Sequence, residues 1–115
     1  MNILEHYLRT DFRLAKINLL AQALYDQANR LVHNYSHALW NTEKVIMITG
    51  SEPHHNPSLA IATSLFHDTG VSRGSYKDHA KNGGSLVREI FPVLGYTIEE
   101  TEESAVAVEQ HKTGL

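Results

Sequence analysis

The chain has no cysteine, only three prolines and a single tryptophan among its 115 residues. Lack of cysteine excludes a disulfide scaffold and any thiolate metal site, leaving nitrogen and oxygen donors. Charge of one sign is also missing: ten Lys and Arg stand against thirteen Asp and Glu, for a net charge of −3. Without a basic face, neither a nucleic-acid partner nor an anionic membrane is expected, and a phosphate-bearing ligand would have to be drawn by a metal or a few local cations. No apolar run approaches the ~18 residues of a membrane span. The start, Met1-Asn2-Ile3-Leu4-Glu5-His6, has an early acid and no apolar signal-peptide core, so a soluble cytoplasmic protein is the expectation. Sustained period-two alternation, internal repeats and low-complexity tracts are absent too. A chain of this length is expected to form one domain that buries roughly two-thirds of its unfolded surface.

What is present is helical patterning. Leu14, Ile17, Ala21, Leu24, Ala28 and Leu31 alternate at spacings of three and four, one stripe of an amphipathic helix. Thr10-Asp11 can cap its start, with Ile3 to Arg9 as a short preceding helix. The stripe reads as core-facing, with a homodimer seam as the alternative. A second helix is expected from Val32 to Ile48, stopped by Gly50. Asn56-Pro57 makes an N-cap and N1 pair for a third helix that ends near His67. Asp78 can cap a fourth through Phe91, closed by Pro92, and Thr97 with Glu100 has the capping-box spacing for a fifth that reaches His111. Thr69 to Asp78, with Gly70 and Gly74, reads as a loop. The expected fold is all-α, a compact bundle of about five or six helices.

The third helix is apolar almost all round, Leu59 to Phe66, and closes on His67-Asp68. That places the doublet inside the protein. A lone buried carboxylate costs roughly several kcal/mol even after relaxation, unless a positive partner such as a metal ion meets it. His33, His37, His79 and His111 lie in segments that read as helical and could supply imidazoles to the same point. His33 and His37, four apart, would share one helix face, roughly 5–6 Å apart at Cβ. Arg73 and Lys77, in the loop after the doublet, are candidates for binding substrate phosphate through charge-assisted bonds. Gly83-Gly84 inside a helix costs about 1 kcal/mol per glycine and points to close approach of another helix. His54-His55 and His6 read as surface residues, the acidic run Glu99, Glu100, Glu102, Glu103 as a solvated helix start, and Trp40 and Tyr35 as core or pocket wall.

The order of these elements, His37, then His67-Asp68 after an apolar run and before Thr69-Gly70, resembles the HD superfamily of metal-dependent phosphohydrolases. His33-Asn34-Tyr35-Ser36-His37 is similar to the His-Asn-x-x-His start of some members, and His79 with Gly83 to the His-x-x-x-Gly element that follows the doublet. His111 lies where a further histidine often ends the next helix. The resemblance covers residues 31 to 111 and leaves 1–30 as N-terminal helices of the same domain. It implies that His37, His67 and Asp68 are metal ligands, with Asp68 bridging if two metals bind and His79 and His111 serving the second. It implies for His33 the protonation of the leaving oxygen. Mn²⁺, Fe²⁺, Mg²⁺, Co²⁺, Ni²⁺ or Zn²⁺ would suit such a site, transition metals best because imidazole dominates. The activity implied is hydrolysis of a small phosphate ester, such as a nucleotide, by metal-activated water. The alternatives are a degenerate HD module that binds a ligand or partner without turnover, and an unrelated helical metal carrier or redox protein.

One part of the pattern is missing. Members commonly add an aspartate from a later helix, and after His111 this sequence offers only Lys112-Thr113-Gly114-Leu115. A fragment lacking the C-terminal helices, a partner subunit that supplies the carboxylate, and a degenerate member all stay open; the fragment is the favoured expectation.

Overall fold

The computed structural model describes residues 3–31, 33–49, 56–74 and 76–111, without the side chains of 47–49. Val32, Gly50, His54, His55 and Lys112 lie outside the described residues. The helices are α1 (Ile3–Thr10), α2 (Phe12–Ala28), α3 (Tyr35–Thr49), α4 (Pro57–Phe66), α5 (His79–Ile90) and α6 (Ile98–Gln110). Short 3-10 helices at Thr69–Arg73, Tyr76–Asp78 and Pro92–Leu94 complete the order, and there is no strand among the described residues. The fold is all-α, as the patterning predicts.

Caps set most of the boundaries. Asp11 Oδ1 accepts from the backbone N–H groups of Arg13 and Leu14 at 3.0 and 3.2 Å and starts α2. Its other oxygen accepts from Ser58 Oγ at 2.6 Å, tying α2 to α4. Asn56 Oδ1 caps α4 through Leu59 N at 3.1 Å, with Pro57 at the first turn. Thr97 and Glu100 form the full capping box of α6. Asp78 does not do the same for α5: its side chain makes no capping bond, and the helix begins at His79 after a 3-10 turn.

Two further expectations are corrected. The α2 stripe stops at Ala28, because Asn29 adopts the left-handed conformation (φ 51°) and ends the helix. Leu14, Ile17, Ala21 and Tyr25 form its buried face, while Leu31 is 97% exposed. The second helix starts at Tyr35, since Asn34 Oδ1 accepts from His37 N at 3.1 Å in the manner of an N-cap. His33 therefore precedes α3 and shares no helix face with His37.

α4 lies at the centre, against α2, α3 and α6. Its Leu59, Ile61, Ala62, Ser64, Leu65 and Phe66 are buried, in line with an apolar sequence on all sides. Ala38, Thr42 and Ile46 form the inward face of α3. Trp40, on the opposite side of that helix, is 55% exposed rather than in the core, with Lys44 Nζ 3.4 Å from its ring centroid. Tyr35 is half-buried and bonds Asn18 Oδ1 at 2.6 Å.

The segment after the doublet is not an open loop. Thr69, Gly70 and Val71 are buried in a 3-10 turn pressed on α5. A Cβ at Gly70 would stand 1.8 Å from the His79 carbonyl oxygen and 2.6 Å from Gly83 N, so only glycine fits. A Cβ at Gly83 would meet Val108 Cγ1 at 2.8 Å, so the glycine pair admits α6 against α5. No helix among the described residues is long and apolar enough to cross a membrane.

Candidate metal centre

α4 ends by delivering its doublet into the interior, where Asp68 is 2% exposed. Five histidines surround that carboxylate. His33 Nδ1 lies 2.9 Å, His67 Nε2 3.2 Å and His37 Nε2 3.8 Å from Oδ2. His79 Nε2 and His111 Nε2 lie 3.2 and 3.1 Å from Oδ1, and 3.0 Å from each other. Every ion-pair partner of Asp68 among the described residues is thus a histidine. Ligand atoms of His33, His37 and Asp68, and of His67, Asp68 and His111, form two groups in each of which all atoms fall within 4.8 Å of one another.

Local structure fixes three of these rings by one device. His67 Nδ1 meets the Ser64 carbonyl at 2.6 Å, His79 Nδ1 the Tyr76 carbonyl at 2.5 Å, and His111 Nδ1 the Val108 carbonyl. Each carbonyl belongs to the residue three positions earlier. At the ends of α4 and α6 the same carbonyls also accept the backbone N–H of His67 and His111, and the two lone pairs of a carbonyl oxygen serve both donors. A carbonyl only accepts, so Nδ1 carries a hydrogen and each ring turns Nε2 to Asp68, as a lone pair when neutral and as an N–H donor when protonated. Lone pairs facing a carboxylate repel unless a proton or a metal cation lies between them. The donor set, imidazole nitrogen and carboxylate oxygen, fits a divalent transition metal.

The proton balance follows the same geometry. Burial pushes the Asp68 carboxyl up, but hydrogen bonds from His111, His67 and His33 outweigh it and hold the group well below the usual carboxylate range. Burial would lower His67, yet its bond to Asp68 and that negative charge raise it above the ordinary histidine value. For His37 burial wins, with neighbouring His67 and His33 adding to the downward shift. His79 is also lowered, by burial first, despite the Tyr76 carbonyl and Asp68.

Two tyrosines escaped sequence reasoning. Tyr25, fully inside the core, donates from its hydroxyl to the Leu65 carbonyl at 2.9 Å and accepts from Asp68 N at 3.2 Å, which pins the backbone of the doublet. Burial, reinforced by the Asp68 charge, pushes the phenol up and keeps it protonated. Its place in the α2 stripe, one position after Leu24, was the available signal. Tyr76 stacks on His79 with ring centroids 4.1 Å apart and lies 4.5 Å from His33, covering that side of the cluster. Nothing in its sequence surroundings distinguishes it from a loop tyrosine.

Comparison with known proteins adds a partial likeness. A stretch of 61 residues, 53% of the chain, is 41% identical to the bifunctional uridylyltransferase/uridylyl-removing enzyme of Nitrobacter winogradskyi. Enzymes of the same name from Nitrobacter hamburgensis and Bradyrhizobium diazoefficiens are each 38% identical over 61 residues. This chain is similar to part of an enzyme. The matched stretch is 6% of each relative's own length. No family model and no solved structure matches the chain.

The remaining candidates divide. Arg73 is exposed, as expected of it, but its guanidinium makes a two-pronged bond to Glu89 at 2.6 and 3.0 Å. Lys77 is exposed as well. Among the described residues Asp68 is the one carboxylate in either ligand group. His6 is at the surface, and of the acidic run Glu102 pairs with Arg88 at 2.9 Å while Glu100 completes its cap.

Proposed function

We propose that the chain is an HD-type, metal-dependent phosphohydrolase that acts on a small phosphate ester. One observation carries this reading: a buried carboxylate whose two oxygens are ringed by five imidazoles, three of them locked with Nε2 facing it. His37, His67 and Asp68 would hold one ion; His79 and His111, with Asp68 between, would hold another. A divalent ion bound there supplies activated water at neutral pH and neutralises charge on the phosphoryl oxygens. His67, His79 and His111 orient the site, because their carbonyl partners fix tautomer and ring plane. His33 differs, since its Nδ1 is the atom on Asp68. With Nδ1 held by the carboxylate, its Nε2 edge is left to carry a proton to the leaving oxygen, the task of a general acid. Arg73 and Lys77 stand as phosphate contacts, each on leaving its present interaction, which for Arg73 is the Glu89 carboxylate. Removal of a uridylyl group, in the relatives' printed name, breaks a phosphate ester bond, the same class of bond.

The test is metal content and phosphate release in the wild type and in Asp68→Ala. Wild-type protein is expected to bind Mn²⁺, Fe²⁺, Co²⁺, Ni²⁺ or Zn²⁺ stoichiometrically and to release phosphate from an ester panel, with both lost in the folded variant. Phosphate release that persists in chelator-treated protein, or in Asp68→Ala, overturns the reading. Bound metal with no turnover across the panel would favour the HD module that binds without catalysis.

A further inference from the structure

A cleft of about 720 Å³ between α3, α4 and α6 opens onto His67 and His111 and belongs to the centre already described. The outer face of α2 takes no part in that centre. Leu14, Ile17, Ala21 and Tyr25 commit the inner side of the helix to the core. On the opposite side Phe12, Lys16, Leu19, Ala23 and Asp26 follow at spacings of four, three, four and three, a second stripe at the repeat of a helix-on-helix seam. All five are exposed, Phe12 at 77% and Leu19 at 66%. Lys16 and Asp26 form no ion pair among the described residues, and the Lys16 ammonium rests over the Phe12 ring, 4.8 Å from its centroid. Arg73 and Arg88, by contrast, already hold glutamates of this chain.

We propose that this outer stripe is the seam of a homodimer in which α2 of one copy lies antiparallel on α2 of a second. The stripe is self-complementary about one level of the helix. Ala21 lies midway between Lys16 and Asp26, and midway between Leu19 and Ala23. A two-fold axis at that level sets Lys16 of each copy against Asp26 of the other and Leu19 against Ala23, so two ion pairs flank an apolar centre. The small Ala23 makes room for the leucine of the facing helix, and Phe12 lies beyond the ion pair, toward the end of the partner's helix. A parallel pairing sets lysine on lysine and aspartate on aspartate, and its like charges repel. The charge pattern therefore selects a second copy, and selects its direction. α2 is 17 residues long, roughly 25 Å, so a seam confined to it is small and the dimer exchanges with monomer rather than being permanent.

Sedimentation equilibrium of the full chain tests the seam. The weight-average mass of the wild type should climb toward twice the monomer value between low-micromolar and near-millimolar protein. Leu19→Glu puts a carboxylate into the apolar centre and should weaken association at least about tenfold. Lys16→Glu alone and Asp26→Lys alone each turn both ion pairs into like-charge contacts, and each should weaken it by about tenfold as well. An equal mixture of those two variants decides the register. In the mixed dimer the two changed side chains face each other, and the unchanged Asp26 and Lys16 meet as before, so association should return to the wild-type level. All three positions are exposed, and the charge variants keep the test valid should Leu19→Glu fold poorly. A wild type that stays monomeric at the highest concentration would give this face to another partner and overturn the seam. Association untouched by Leu19→Glu, single charge variants that associate like the wild type, or a mixture no tighter than either variant alone would overturn it too.

Discussion

Around Asp68 Oδ1, His79 and His111 come from α5 and the end of α6, each ring held by a backbone carbonyl, with side chains 1% and 22% exposed. Around Oδ2, beside the carbonyl-held His67 at the end of α4, His33 and His37 come from the turn before α3 and from α3 itself, with side chains 28% and 31% exposed. His37 sits 3.8 Å from the carboxylate and shares its Nε2 with Asn41 at 3.1 Å. One wall is thus built into the close packing of α5, α6 and the 3-10 turn, and the other faces water. The difference teaches how such a centre would divide its labour under the proposed function: the packed wall would fix geometry, and the more open wall would leave room for substrate and for proton movement.

The largest expected break is in the packed wall. Gly70→Ala places a methyl 1.8 Å from the His79 carbonyl oxygen, against backbone on both elements. It should cost about 3 kcal/mol or more, read as a lower urea midpoint; a shift under about 1 kcal/mol would show that the turn slides freely on α5. Next comes the asymmetry itself. His79→Gln should lower metal affinity more than His37→Gln, measured by titration calorimetry with Mn²⁺ or Zn²⁺, and equal losses would erase the distinction between the walls.

Tyr25→Phe probes the support beneath both walls, because it removes the hydroxyl that meets Asp68 N and the Leu65 carbonyl. About a 10–100-fold loss of metal affinity is expected, as for other residues that orient ligands from behind. Unchanged affinity with lowered stability would make Tyr25 a core residue only. The smallest effect is at Asp11, which joins α2 to α4. Burial raises that carboxyl, but the Ser58 bond and the helix-end N–H groups outweigh it and hold it below its ordinary value. Its contribution is therefore present above an unfolded pKa of about 3.9 and is lost as pH falls through the lower folded value. Asp11→Asn keeps a capping oxygen and removes the charge, so its stability should fall less steeply than the wild type's between about pH 5 and 3. Parallel curves would remove Asp11 from that acid response.

Much of the helix order was legible because its signals are local. Asn56-Pro57 and Thr97 with Glu100 act within one turn, and both work as their spacing predicts. Asn29 and Asn34 carry equally local signals, and reading the apolar stripe through them extended α2 and α3 too far. The doublet was legible because a charge closing an all-round apolar helix has few physical explanations. Tyr76 was not, since its role depends on which ring the next turn brings beneath it. Trp40 misled for a related reason: a large aromatic residue suits a core, but Ala38, Thr42 and Ile46 had already claimed the inward face.

By itself, then, the sequence determined that these residues form helices, where several of them start, and that Asp68 would be buried with several histidines able to reach it. Periodicity, caps and hydrophobic runs act over a few residues, so one dimension suffices to read them. Which oxygen of Asp68 faces which imidazole, that three rings are locked by carbonyls, and that a cleft opens between α3, α4 and α6 were decided only in three dimensions. Those features arise where segments far apart in the chain meet, and the Gly70 and Gly83 contacts that set the meeting distance have meaning only once α5 and α6 are packed.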